Sequence, residues 1–110
     1  GVTILDFRGS TFTDTKDSFA QGATNLHTVY LPDTLTSIGY GCFLNCKSLV
    51  TLICNATTPP STKTNFLTGT PIASKTGTIY VPDESVDAYK AASVWAEYQS
   101  IIKPLSEYVE

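Results

Sequence analysis

Three cysteines (Cys42, Cys46 and Cys54), one histidine (His27) and a carboxylate cluster (Asp83, Glu84 and Asp87) are the side chains of this 110-residue chain whose types could do chemistry. The cysteines and the histidine have the count of a Cys3His zinc site, but no C-x2-C spacing is present and no metal site is expected. A cysteine nucleophile needs a base within hydrogen-bond reach and a third group to orient it. His27 lies on an expected strand, whereas Cys54 belongs to the opposite, inward side of its strand, where no substrate enters. Buried cysteine behaves as a small hydrophobe, and Cys46 and Cys54 are read that way. Cys42 and Cys46, four apart, could also meet on one helical turn. An odd number of thiols leaves at least one free or paired with another chain and excludes a disulfide-dense scaffold. Asp83, Glu84 and Asp87 stand at the start of an expected helix, where carboxylates favour the dipole, so a capping role accounts for them. Asn55-Ala56-Thr57 spells a glycosylation sequon, meaningful only in a eukaryotic source. No H-E-x-x-H, G-x-S-x-G or Gly-rich phosphate loop is present, and neither an enzyme nor a cofactor is expected.

The elements that position these residues repeat. Leu26, Val29 and Leu31 spell L-x-x-V-x-L, and Leu49, Leu52 and Cys54 restate it 23 residues later. Val2, Leu5 and Phe7 precede the first set by 24 residues, and Phe19 is matched to Phe43 at the same offset. The extra residue is assigned to Ala20–Asn25, and Arg8–Asp17 reads as a looser turn around Phe12. Asn55–Pro60 (NATTPP) cannot continue a ladder, because its two prolines lack donors, yet Phe66 falls 23 after Phe43. Thr78–Pro82 repeats the shape of Thr28–Pro32 after a longer interval, 27 from Leu52 to Ile79, which gives a fourth strand. A period in the low twenties carrying L-x-x-L-x-L is the signature of a leucine-rich repeat.

From Asp83 the period becomes helical through Val86, Tyr89 and Ala92, with Asp83 or Ser85 as N-cap. Trp95 and Tyr98 follow, then an apolar pair, Ile101 and Ile102, ended by Lys103-Pro104. The expected fold is α/β: a leucine-rich-repeat solenoid with a short parallel β-sheet over residues 1–82 and a C-terminal helical cap over 83–110, packed as one domain. Such a stack needs its last edge covered, and Trp95 is placed to do so.

Composition narrows the partners. Only 15% of residues are charged and the net charge is −3, with no basic stripe, so nucleic acid is not expected. No apolar run reaches the ~20 residues that span a bilayer. The chain opens on Gly1-Val2 with neither an initiator Met nor a leader, as a trimmed or mature fragment would. Alternation along the strands sends Thr28 and Tyr30 to the open face. Stacking then makes one column of Ile4, Thr28, Thr51 and Thr78 and a second of Asp6, Tyr30, Ile53 and Tyr80. Thr28, Tyr30, Thr51, Ile53, Thr78 and Tyr80 are the candidate binding residues, since tyrosine offers a rigid amphipathic surface for protein or glycan. The plainer alternative is that they satisfy cross-strand pairing, which threonine and tyrosine favour. The outer edge of the first strand is uncovered, which points to self-association or to further repeats before it.

The stretch LPDTLTSIGYGCFLNCKSL resembles the BspA-like leucine-rich repeats of bacterial surface proteins, which run LP-x-x-L-x-x-I-G-x-x-A-F-x-x-C-x-x-L. Leu31, Pro32, Leu35, Ile38, Gly39, Phe43, Cys46 and Leu49 stand at those places, with Cys42 where a small residue is usual. The tail IYVPDESVDAYKAASVWAEYQSII resembles the closing segment of such proteins from anaerobic gut and oral bacteria. Together these cover about the last three quarters of the chain. The resemblance implies a cell-surface or extracellular setting, non-enzymatic adhesion or binding of a protein or glycan, and no catalytic residues. A second expectation is purely structural: repeats that cap and space a larger surface protein, with recognition elsewhere.

Overall fold

Eight short strands form in the computed structural model, which describes residues 2–109; residues 1 and 110, the outer limits of the two expected regions, lie outside it. They are β1 (Ile4–Asp6), β2 (Asp14–Thr15), β3 (Thr28–Leu31), β4 (Ser37–Ile38), β5 (Thr51–Cys54), β6 (Ser61–Thr62), β7 (Thr78–Val81) and β8 (Ile102–Pro104). All pair in parallel, in two sheets of order β1-β3-β5-β7-β8 and β2-β4-β6. The first three passes each add one strand to each sheet, and β7 and β8 extend the larger sheet alone. One helix, α1 (Val86–Ala91), and three 3-10 segments (Asp83–Ser85, Trp95–Ile101 and Leu105–Glu107) complete a compact α/β fold.

The inward residues of each pass meet their equivalents in the next. Leu5, Val29, Leu52 and Ile79 stand level across the first four strands, and Ile102 continues the row on β8. Val29, Leu52 and Ile79 are wholly buried. Burying an aliphatic side chain contributes about 1.5–3 kcal/mol, more than any one ladder hydrogen bond. The row therefore sets the register. The offsets expected for β1, β3, β5 and β7 hold: Ile4 is level with Thr28, Thr28 with Thr51 and Thr51 with Thr78.

The extra residue of the first pass lies elsewhere than expected. Ile4 to Asp14 spans ten positions where Thr28 to Ser37 spans nine, so the insertion falls between β1 and β2 and not in Ala20–Asn25. Downstream the two passes run at a constant offset of 23, with Thr15 level with Ile38 and Thr28 with Thr51. Ala20 N donates to Cys42 O (2.7 Å) with the stagger by which Phe7 N, next after the Asp6–Tyr30 pair, reaches Tyr30 O. This sets Ala20, not Phe19, level with Phe43. Phe19 instead packs with Phe7 and Phe12, ring centroids 5.5 and 6.3 Å away, over the outer end of the first pass.

The segment expected to interrupt the ladder is followed at once by β6. Its carbonyls find donors on the C-terminal segment: Tyr89 Oη donates to Ala56 O (2.6 Å), Ser85 Oγ to Thr57 O (2.6 Å) and Trp95 Nε1 to Pro60 O (2.8 Å). Trp95 is buried against Phe66 (5.2 Å between centroids) and Tyr89 (4.9 Å), so it covers the last pass as expected. Ser85 is spent on this contact and Asp83 accepts from Ser106 N (3.0 Å); neither side chain caps α1. Lys103-Pro104, expected to end the Ile101-Ile102 pair, instead continues it as β8, with Ile102 level with Ile79.

Gly39 marks a place where two passes approach closely. A Cβ there would lie 2.6 Å from the backbone of Lys16 and Thr15 and 2.7 Å from Asp17 N. Gly39→Ala is expected to cost about 1–3 kcal/mol through overpacking. A lowered urea midpoint at unchanged slope checks it.

Candidate functional site

Strand alternation puts all six candidate side chains on the outer face of the five-stranded sheet. Thr28, Thr51 and Thr78 form one column with Ile4, and Tyr30, Ile53 and Tyr80 form the other with Asp6. The columns differ in access. In the first, Thr51 and Thr78 are half-buried and Ile4 is 48% exposed, although Thr28 is buried. In the second, the expectation of an open tyrosine–isoleucine surface fails: Tyr30 is only 6% exposed and Ile53 only 1%.

Two side chains roof the second column. Arg8 lies in the turn that follows β1, and it bonds the Asp6 carboxylate through its backbone N (3.0 Å), Nε (2.9 Å) and Nη2 (2.6 Å). That pairing holds the guanidinium 3.8 Å from the centre of the Tyr30 ring, a cation–π contact. It also lowers the Asp6 pKa to about 2, because Arg8 bonds the charged form. From the other end of the chain comes Tyr108. Its ring sits edge-on to Tyr30 (6.1 Å) and 4.9 Å from Tyr80, and the Tyr108 and Tyr30 hydroxyls are 2.7 Å apart.

Beside this roof lies a hollow of about 460 Å³ at the N-terminal ends of β1, β3 and β5, lined by Ile4, His27, Thr28, Tyr30, Thr51 and Tyr108. His27 Nδ1 is 2.8 Å from Thr28 Oγ1, so the pair offers a polar edge inside an otherwise apolar and aromatic rim. A second concavity of about 270 Å³ runs along β2, β4 and β6. Its Asp17 carboxylate is already bonded to Tyr40 N (2.8 Å), and it has no aromatic wall. The hollow on the larger sheet is the roomier of the two and the one with aromatic walls.

Sequence reasoning had placed Ile4 and Asp6 in the columns and missed Arg8 and Tyr108. Arg8 was legible: an aspartate at a strand end accepts readily from the backbone two residues on, and an arginine there brings its guanidinium to the same carboxylate. Tyr108 carried only the weaker sign of an aromatic in a polar tail.

The cysteines lie away from this face. All three are free and buried. Cys42 Sγ donates to Thr15 Oγ1 (3.4 Å), Cys46 Sγ donates to Ala20 O (3.1 Å), and Cys54 Sγ lies 3.2 Å from Tyr89 Oη. Burial pushes the Cys42 thiol up to about 12 and Cys54 up to about 11, and it raises Cys46 as well. The nucleophile is the thiolate, so none of the three is armed. Cys42 lies in a run of turns that ends at Asn45, just before Cys46, and no helix joins the two. Among the described residues no group of three or more His, Cys, Asp and Glu is placed to hold a metal ion. Asn55 of the sequon spends its side-chain amide on Leu31 O (2.8 Å). None of the described helices is long and apolar enough to cross a membrane. No family model matches this chain, and no curated protein matches it.

Two outcomes follow from these environments. A disulfide-exchange reagent at pH 8 should label none of the three thiols in the native protein and all three in 6 M guanidinium. At the base of the C-terminal arm, the Ser106 amide lowers the Asp83 pKa. Because the folded value is the lower one, this tether contributes fully above the ordinary aspartate pKa of about 3.9 and is lost as pH falls through the depressed value. The Ser106 amide proton resonance should hold steady through neutral pH and move only under more acidic conditions.

Proposed function

We propose that this chain is a leucine-rich-repeat solenoid of the BspA-like kind, acting as a non-enzymatic binding module of a bacterial surface or secreted protein. The repeating L-x-x-L-x-L rows and the LP-x-x-L-x-x-I-G run support the solenoid reading. The observation that carries the function is the hollow on the outer sheet face, where Ile4 and Thr51 are accessible beside the Tyr30 and Tyr108 rings, with half-buried Thr78 next in their column. A protein or glycan is the proposed ligand. The buried, protonated thiols support a role other than nucleophilic chemistry. Self-association through the outer edge of β1, which among the described residues pairs with β3 alone, belongs to the same proposal.

A second, structural reading draws on a different observation. Arg8 and Tyr108 bury the centre of the face as a spacer or capping repeat would require. The double variant Thr51→Lys/Thr78→Lys separates the two. On a panel of immobilised glycans and matrix proteins, the parent chain should capture at least one member and the folded variant should lose it by tenfold or more. Capture unchanged by the two lysines would overturn the strand-face reading and leave the structural one.

A further inference from the structure

The second column contains a slot with an unusual tenant. Tyr30 and Tyr80 stand on β3 and β7, separated by β5, so their backbones are about 9.5 Å apart. Between them Ile53 forms a low apolar floor. A gap of that width between two aromatic walls takes one more ring with contact on both sides. The Tyr30 hydroxyl adds a polar partner at one end. An apolar body with a hydroxyl tip is the description of a phenol.

The ring that fills the slot comes from outside the sheet. After Pro104 the chain leaves β8, makes one 3-10 turn over Leu105–Glu107, and lays Tyr108 across the face. The arm is tied down by Ser106 N to Asp83 Oδ1 (3.0 Å) and by Tyr108 itself, while Val109 is 86% exposed. Core closure at this end is done elsewhere, by Trp95 and Tyr89. Tyr108 is therefore a guest on a finished sheet face.

We propose that the slot over Ile53 is a receptor site for a tyrosine-bearing peptide, and that the chain's own arm, Leu105–Val109, is its resident occupant, displaced by a ligand of the same chemistry. This rests on the strand-face reading above and narrows its ligand to a peptide. A sugar would stack on an open ring face, and the Tyr30 face is taken by the Arg8 guanidinium at 3.8 Å. The adjoining hollow, walled by Ile4 and Thr51, is left for the residues flanking the incoming tyrosine. Tethering gives the arm a millimolar effective concentration, so a free peptide competes poorly until the arm is disabled.

The test uses the full chain with Tyr108→Ala and, as probe, a labelled synthetic peptide of residues 105–110 (LSEYVE). The variant should bind the peptide saturably, at least tenfold more tightly than the parent chain does. A peptide with alanine in place of tyrosine should not bind, and adding Tyr30→Phe to the variant should weaken binding several-fold. Equal binding of both peptides, or no binding by a Tyr108→Ala chain that keeps its circular dichroism, overturns the proposal. If Tyr108→Ala unfolds the chain, the chain ending at Pro104 takes its place, and failure of that chain to fold or to bind the peptide overturns the proposal too. Because the probe is the arm itself, these outcomes are independent of the lysine variants, which judge the strand face through its other column.

Discussion

Everything in this molecule depends on the level row Leu5–Val29–Leu52–Ile79–Ile102. Strands of two to four residues have no stability of their own. They persist because each pass buries its apolar residues against the next. A slip of one residue would turn every inward side chain outward. Length variation is accordingly confined to the connections between β1 and β2, before β6, and before β7, where an added residue disturbs no row. The second sheet is held by the same device in miniature: the Thr15 hydroxyl accepts from Gly39 N (3.1 Å) and from the Cys42 thiol, which keeps a buried polar group satisfied.

The two ends of the stack meet this constraint differently. At the C-terminal end, the prolines of the 55–60 segment withhold N–H groups, so the local problem is one of unused carbonyls. Tyr89, Ser85 and Trp95 each supply a donor, and Trp95 also covers Phe66 with apolar surface. At the N-terminal end, among the described residues, the first pass is covered by its own aromatics. Phe7 and Phe12 meet edge to face at 5.3 Å, and Phe19 remains 39% exposed. The β1 groups facing away from β3 have no partner strand among the described residues. That asymmetry is the physical content of the proposed self-association.

How much of this could be read from the chain follows from where the energy lies. The long parallel ladder was legible because its rows are apolar and recur every 23 or 24 residues. The smaller sheet was not, because Asp-Thr, Ser-Ile and Ser-Thr are too short and too polar to carry a period. The first pass's extra residue was misplaced for a related reason: Phe19 and Phe43 look alike, but backbone hydrogen bonds, not side-chain identity, decide which residues stand level. Strand β8 hid behind Lys103 and Pro104; proline is tolerated there because β8 is an edge strand. The caps failed differently. Asp83 and Ser85 have the right chemistry for a helix start, but α1 is six residues long and tertiary partners outcompete its own first turn.

The same logic governs the candidate site. Alternation fixed which side chains share the outer face, and the expectation of six residues in two columns held. It could not fix their exposure, because a face is covered by whatever the rest of the chain lays upon it. Arg8 arrives from the first pass and Tyr108 from the last turn, and they meet on one ring, Tyr30. That ring stands on β3, with one strand on one side and three on the other. The two roofing residues can converge there only while the passes between them stay in register. The chemistry of the face is thus a property of the whole stack: loosening either end uncovers an aromatic and isoleucine surface that the intact molecule keeps from water.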